Sequence, residues 1–126
     1  MKRIDLIEQI IARKQELGIT IENLAKLSNV GIRTINRLLK NEDVKLSTIE
    51  SVTNVLGLDF AGNETIPLKE LKKQRAKEKA LFLVSIVQGT SALEMQGLDD
   101  ESLNSIIVSY EEEFLYGSYQ DTLWVA

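Results

Sequence analysis

Residues 20–40 read TIENLAKLSNVGIRTINRLLK, and this stretch decides the fold. Apolar residues recur at helical spacing on both sides of residues 28–31, where the pattern is interrupted. Asn29 is one of the few non-glycine residue types that tolerate the left-handed conformation of a tight turn, and Gly31 is acceptable as the N-cap of a following helix. The stretch therefore predicts two short helices joined by a tight turn.

The second of these helices, predicted over residues 32–40, has an apolar face and a polar face. Its inward positions are aliphatic: Ile35, Leu38 and Leu39. Its outward positions, at i, i+3, i+4 and i+7, carry basic or amide side chains: Arg33, Asn36, Arg37 and Lys40. The outward stripe is therefore the candidate functional surface.

The outward stripe contains the side chains that read base edges in the major groove of DNA. Arg33 or Arg37 can donate two N–H groups to one guanine, and Asn36 can pair with adenine. Ile32 can contact a thymine methyl group. Lys40 at the end of the helix and Lys45 beyond it would contact phosphates, which set the position of the protein along the DNA without reading its sequence. The predicted DNA-binding residues are Ile32, Arg33, Asn36, Arg37, Lys40 and Lys45. The alternative is that they form an ordinary polar helix face.

The amino-acid composition excludes several classes of function for this chain. The 126 residues are 44% apolar, enough for one moderate core or a small core with a second lobe. The chain has no Cys and no His, which excludes thiol and imidazole catalysis, disulfides and ordinary zinc sites. No apolar run reaches the roughly 18 residues of a membrane span, and no signal-sequence pattern follows the start. We expect a cytoplasmic protein without a membrane partner.

The remaining chemistry and the charge distribution favour binding over catalysis. Paired acids such as residues 99–100 and 111–113 have no base, metal partner or Gly-rich phosphate loop beside them, so we expect neither an enzyme nor a cofactor. Residues 1–62 contain nine Lys/Arg and eight Asp/Glu, whereas residues 63–126 contain six and eleven. DNA affinity must then come from a local patch in the first half, and the acidic second half indicates a different partner.

Residues that start or stop helices mark the predicted elements in the rest of the chain. A first helix is predicted to end at Gly18, and Ser47-Thr48-Ile49-Glu50 reads as a capping box that starts another near Thr48 and ends it at Gly57. Leu58 and Phe60 are expected to close the first core. Beyond them, the run ALFLVSIV from residue 80 is too uniformly apolar for a half-exposed helix, so it should be buried by another chain or lobe.

With these features in order, residues 1–60 resemble the helix-turn-helix domain of the Xre, Cro and phage-repressor family. The resemblance rests on small or apolar residues at ordered positions: Ala25, Val30, Ile35, Leu56, Gly57 and Leu58. Asn29 stands where the family usually has a turn glycine, and Ile21 stands where a glutamine often opens the second helix. The resemblance implies binding to a double-stranded DNA operator as a homodimer, without the contact that the glutamine would supply.

Residues 87–103, VQGTSALEMQGLDDESL, resemble the inhibitory region of small antitoxins that silence Fic adenylyltransferases. Thr90 and Glu94 have the spacing of that motif, although Met95 replaces its usual Gly or Asn. The resemblance implies that Thr90 anchors the helix and that Glu94 pairs with the toxin arginine that holds the ATP γ-phosphate. The alternative is a plain helix surface in a dimerisation lobe.

We therefore expect an all-α protein. A repressor-like DNA-binding domain of four or five helices should occupy residues 1–62, followed by a linker at 63–67 and a helical hairpin at 68–126. The expected function is a sequence-specific transcriptional regulator that is also the antitoxin and autorepressor of a toxin–antitoxin pair, with a possible Fic-type toxin as partner. The alternative is a phage-type or housekeeping repressor whose C-terminal lobe only dimerises.

Overall fold

A computed structural model describes residues 2–87 and 100–125. Within these residues the chain forms six α-helices and no β-strand, which confirms the predicted all-α class. The helices are α1 (Arg3–Leu17), α2 (Ile21–Ser28), α3 (Ile32–Leu39), α4 (Leu46–Leu56), α5 (Leu68–Val87) and α6 (Asp100–Tyr116). A short 3-10 turn, Gln120–Thr122, follows α6.

The described residues group into two compact units. The first runs to Leu71 and also includes Trp124 and Val125, and the second extends from Lys72 to Leu123. The first unit therefore contains α1 to α4 and the opening turn of α5, while the second contains the remainder of α5 together with α6.

The ends of the first helices follow the predicted signals. Gly18 ends α1 in the left-handed conformation, with φ of 74°. The Thr20 hydroxyl then accepts a hydrogen bond from the Asn23 backbone N–H at 3.1 Å, which caps α2. Asn29 ends α2 with φ of 56° and ψ of 42°, as the turn chemistry predicted.

Helices α1 to α4 share one core. Helix α2 packs against α3 and α4, and α1 packs against the same two helices. The side chains at the centre of this core have no more than 1% of their surface exposed: Ile7, Ile10, Leu24, Ile35, Leu38, Val52 and Leu56. The apolar stripes of all four helices thus converge on one cluster, which fixes which side of α3 faces outward.

Two expectations about this unit are wrong. Helix α4 begins at Leu46, after an N-cap at Lys45 without a side-chain cap, and the Thr48 N–H already donates to the Lys45 carbonyl at 3.0 Å. Thr48 is consequently a buried residue of the first turn, so residues 47–50 cannot act as a capping box. Leu58 is buried, but Phe60 is 47% exposed, because it lies in the loop between the bridged residues Leu58 and Glu64.

A buried arginine joins α1 to the end of α4. Arg13 is only 5% exposed, and its guanidinium donates to the Leu56 carbonyl at 2.9 Å, to the Ile66 carbonyl at 2.5 Å and to the Glu64 carboxylate at 2.5 Å. The Leu56 carbonyl is one of the acceptors that the last turn of a helix leaves without an intrahelical partner. Gly57 follows with φ of 68°, and a Cβ there would stand 3.2 Å from Cβ of Ile66.

The second unit has a small core of its own. Ala80 and Val84 of α5 pack with Ile107 of α6, and partly buried apolar side chains surround them: Leu103, Ile106 and Tyr110. At the end of α6, the Glu113 carboxylate accepts hydrogen bonds from the hydroxyl and backbone N–H of Ser118, which lower the pKa of that carboxyl.

Candidate nucleic-acid interface

The turn between α2 and α3 is closed by backbone hydrogen bonds. The Val30 N–H donates to the Ala25 carbonyl at 3.0 Å, which satisfies an acceptor at the end of α2. Gly31 then takes extended angles, φ of −64° and ψ of 146°, and serves as the N-cap of α3. Ala25 is 5% exposed, consistent with a small residue at this position. The turn thereby holds α3 at a defined angle to α2.

Burial of Ile35 and Leu38 turns the predicted DNA-binding stripe of α3 outward. Of the six predicted residues, Asn36 is half-buried, and the others are exposed: Ile32, Arg33, Arg37, Lys40 and Lys45. Ile32 has 48% of its surface exposed although it is aliphatic and opens the helix. Aliphatic, arginine and amide side chains are all able to contact base edges in the major groove.

Arg37 also contacts the loop that follows α3. One of its Nη2–H groups donates to the Asp43 backbone carbonyl at 2.8 Å, and the Glu42 N–H donates to the Arg37 carbonyl at 2.9 Å. The side chain remains exposed, so its other guanidinium N–H groups stay accessible to a ligand. The loop therefore supports Arg37 without covering it.

A cleft of about 630 Å³ lies between the outer side of α3 and the start of α4. Arg37 and Lys45 both line this cleft, so the structure brings these two predicted residues together, whereas the other four do not line it. Four hydroxyl residues also line the cleft, and the sequence did not predict them as site residues: Thr34, Ser47, Thr48 and Ser51. Ser47 and Ser51 are four residues apart on α4, and this spacing was the available signal.

Sequence reasoning also missed Arg3, which binds the loop between α3 and α4. Its guanidinium donates to the Asn41 side-chain oxygen at 2.7 Å, to the Asn41 carbonyl at 2.8 Å and to the Asp43 carboxylate at 2.5 Å. These partners lie about 40 residues away in sequence, and no local pattern pairs them.

The hydrogen bond and the charge of Arg3 lower the pKa of the Asp43 carboxyl below its ordinary value of 3.8, and the charge of Arg37 adds to the effect. A carboxyl whose pKa is lowered by folding stabilises the folded state at pH values above its unfolded pKa. This contribution is lost only as the pH falls below 3.8 and through the lowered value. The contact between Arg3 and Asp43 is therefore fully charged at neutral pH.

Other kinds of site receive no support from the described residues. In residues 2–87 and 100–125, no group of three or more acidic side chains is arranged to hold a metal ion, and no helix is long and apolar enough to cross a membrane. The residues predicted to bind a toxin, Thr90 and Glu94, lie outside the described residues.

Comparison with known proteins agrees with this geometry. Residues 10–63 match the family model described as Helix-turn-helix, a range that contains α2, the turn and α3. The match confirms the resemblance that the sequence showed to this family. Neither the curated proteins nor the solved structures include a significant match to the chain.

Proposed function

Because residues 10–63 carry a helix-turn-helix domain, we propose that this protein is a sequence-specific transcriptional regulator that acts by binding an operator and not by catalysis. The observation that carries the proposal is the orientation of α3. Its apolar side, with Ile35 and Leu38, is buried against α1 and α2, while Arg33 and Arg37 point outward. An α-helix held in this way by a tight turn enters the major groove with its outward side chains against base edges.

The charge balance supports selective over general DNA binding. The positive side chains on the outer face of α3 lie in residues 1–62, where Asp and Glu are nearly as numerous as Lys and Arg. In addition, Asp43 lies next to Arg37. Phosphate contacts supply most of the sequence-independent affinity, and each one adds to the salt dependence of binding. With few such contacts, we propose weak binding to random DNA and a shallow salt dependence.

Replacing Arg37 by Ala should weaken binding to the operator by about 1–3 kcal/mol and relax selectivity at the base pair that it reads. Replacing Lys40 by Ala should weaken binding to all sequences alike and reduce the salt slope by about 1, because a lysine on a phosphate carries no base information. The measurement is a fluorescence-anisotropy titration of each variant with two duplexes. One duplex is enriched from a random pool by the wild-type chain, and the other is a scrambled version of it.

An Arg37→Ala variant that loses no more affinity for the enriched duplex than for the scrambled one would contradict the assignment of α3 as the reading helix. Failure of the wild-type chain to enrich any sequence would contradict the proposed function itself. Glu16→Ala on α1, exposed and away from the stripe, is the matched control and should leave the affinity ratio unchanged.

We further propose that the chain binds DNA as a homodimer through its second unit. A recognition helix of eight residues makes few base contacts, and operators of this class are read by symmetric dimers. The second unit exposes apolar side chains that lie outside the small core formed by its described residues: Leu81, Phe82, Ile86 and Val108. Phe82, 64% exposed, and Ile86, 58% exposed, are four residues apart and share one side of α5. Such a side is suited to contact with another chain.

Replacing Phe82 by Lys should raise the dissociation constant of the dimer about tenfold or more, because it places a charge where an apolar residue would be buried. Light scattering over a concentration series measures this constant. Ser85→Lys adds the same charge at a nearby exposed position without removing an apolar side chain, and it should have a smaller effect. Equal effects of the two variants, or a wild-type chain that is monomeric throughout, would exclude this dimer interface.

The second candidate is that the protein is also the antitoxin of a toxin–antitoxin pair and represses their shared operon. The same exposed apolar side of α5 favours it, since a partner protein could cover that side in place of a second copy. The resemblance of Thr90 and Glu94 to the Fic antitoxin motif names the class of toxin to test. Co-expression with the product of the neighbouring gene decides between the candidates. A Fic-type product that the wild type inhibits and Glu94→Ala does not would support a Fic antitoxin. A product that is not a Fic protein, or a Fic-type product that Glu94→Ala still inhibits, would exclude it.

A further inference from the structure

The side chain of Arg3 links three groups of the loop between α3 and α4. Its Nε and Nη2 donate to the side-chain oxygen and the carbonyl of Asn41, and its Nη1 donates to the carboxylate of Asp43. A guanidinium presents its donors in a rigid plane, so three simultaneous hydrogen bonds determine where these acceptors lie relative to α1. A lysine at the same position would offer only a point charge.

The loop that Arg3 binds contains a tight turn in its backbone. Asn41 has φ of 62°, a left-handed conformation that asparagine adopts more readily than most non-glycine residues. Its N–H donates to the Leu38 carbonyl at 3.0 Å, and both its side-chain oxygen and its backbone carbonyl accept hydrogen bonds from Arg3. Contacts from two directions therefore hold residues 41–43 in one arrangement.

The same loop contacts the side chain expected to read DNA. The Asp43 carbonyl accepts a hydrogen bond from Nη2 of Arg37 at 2.8 Å, while the Asp43 carboxylate is held by Arg3. An exposed arginine has many rotamers, and binding a base selects one of them at an entropic cost. A carbonyl in a defined position reduces that cost by holding the guanidinium before the DNA arrives.

We propose that Arg3 is a positioning residue for operator recognition: it holds residues 41–43, and through the Asp43 carbonyl it orients the guanidinium of Arg37. This inference rests on the proposed function, because it takes Arg37 as a base-reading residue. Arg3 itself contacts the loop and not the bases.

Electrostatics alone makes a different prediction for the same residues. If Arg3 merely adds positive charge, removing it weakens binding to every duplex equally, and removing the negative charge of Asp43 strengthens binding to every duplex. If Arg3 and Asp43 position Arg37, both changes lower the ratio of operator to scrambled affinity. Asp43→Ala keeps the backbone carbonyl that Arg37 contacts and removes the carboxylate that Arg3 contacts. It therefore separates the two explanations, because electrostatics alone leaves the affinity ratio unchanged, whereas positioning lowers it.

The test uses the full chain with the enriched and scrambled duplexes described above. For Arg3→Gln and Asp43→Ala we expect the affinity ratio to fall on the order of 3- to 10-fold. Arg3→Lys should retain the charge but lose most of the preference for the enriched duplex, because one ammonium group cannot make the three contacts. Lys14→Gln, which removes one positive charge elsewhere on α1, should leave the ratio unchanged.

A double-mutant cycle supplies the readout that a merely structural role would not change. If Arg3 acts through Arg37, Arg3→Gln in an Arg37→Ala background should cost no further selectivity. Additive losses, a Lys14→Gln effect equal to that of Arg3→Gln, an unchanged or higher ratio for Asp43→Ala, or an Arg37→Ala variant without an effect would overturn the inference. Failure of the wild-type chain to enrich any duplex would instead contradict the proposed function, so the two failures are distinguishable. Thermal unfolding of each variant establishes that the chain is folded, and the exposed ion pair should contribute little to it.

Discussion

Replacing Ile35 by Ala should lower the free energy of unfolding by about 2–5 kcal/mol. Ile35 is fully buried in α3 at the junction with α1 and α2, so the truncated side chain leaves a cavity that the surrounding helices fill only in part. Because α3 would lose an anchor, operator affinity should fall as well, at temperatures where the variant remains largely folded. Urea-induced unfolding followed by far-ultraviolet circular dichroism measures the loss of stability.

Ile32→Ala is the matched control, since it makes the same substitution three residues earlier on the same helix. Ile32 is 48% exposed, so its truncation should change the free energy of unfolding by less than about 0.5 kcal/mol. It should nonetheless reduce operator binding if Ile32 contacts a thymine methyl group. Similar stability losses for the two variants would mean that α3 is not oriented as described.

Replacing Arg13 by Ala should lower the free energy of unfolding by about 2–4 kcal/mol. The change removes three hydrogen bonds at once and leaves the Leu56 and Ile66 carbonyls without the guanidinium. It also removes a cation from the C-terminal end of α4, where the carbonyl groups carry partial negative charge. Thermal and urea unfolding of the full chain measure the effect.

Two further variants distinguish these contributions. Glu64 is about half exposed, so Glu64→Gln should cost less than about 1 kcal/mol, because water can replace the lost ion pair. Arg13→Lys keeps the charge but cannot reach three acceptors in one plane, and it should be intermediate. A Glu64→Gln loss as large as that of Arg13→Ala would show that the ion pair, and not the two carbonyl contacts, holds this end of the unit.

Much of the local structure could be predicted from single residues. Gly18, Thr20 and Asn29 act at the helix ends where their backbone or capping preferences place them, because these effects involve only neighbouring residues. The start of α4 could not be predicted in this way. Residues 47–50 satisfy the capping-box pattern. In the structure, however, the extended residue that precedes α4 is Lys45, and Thr48 is buried within the first turn of the helix.

The sequence by itself determined the all-α class, the turn between two short helices and the polar face of α3, since helical periodicity decides which residues share a face. Only the tertiary structure decided that Arg3 and Arg37 both contact Asp43, and that Arg13 is a core residue and not a surface charge. Arg13 does follow Leu6 and Ile10 on the buried side of α1, but its acceptors lie more than 40 residues later. Contacts over such distances depend on how the helices pack, and no periodicity within one segment encodes them.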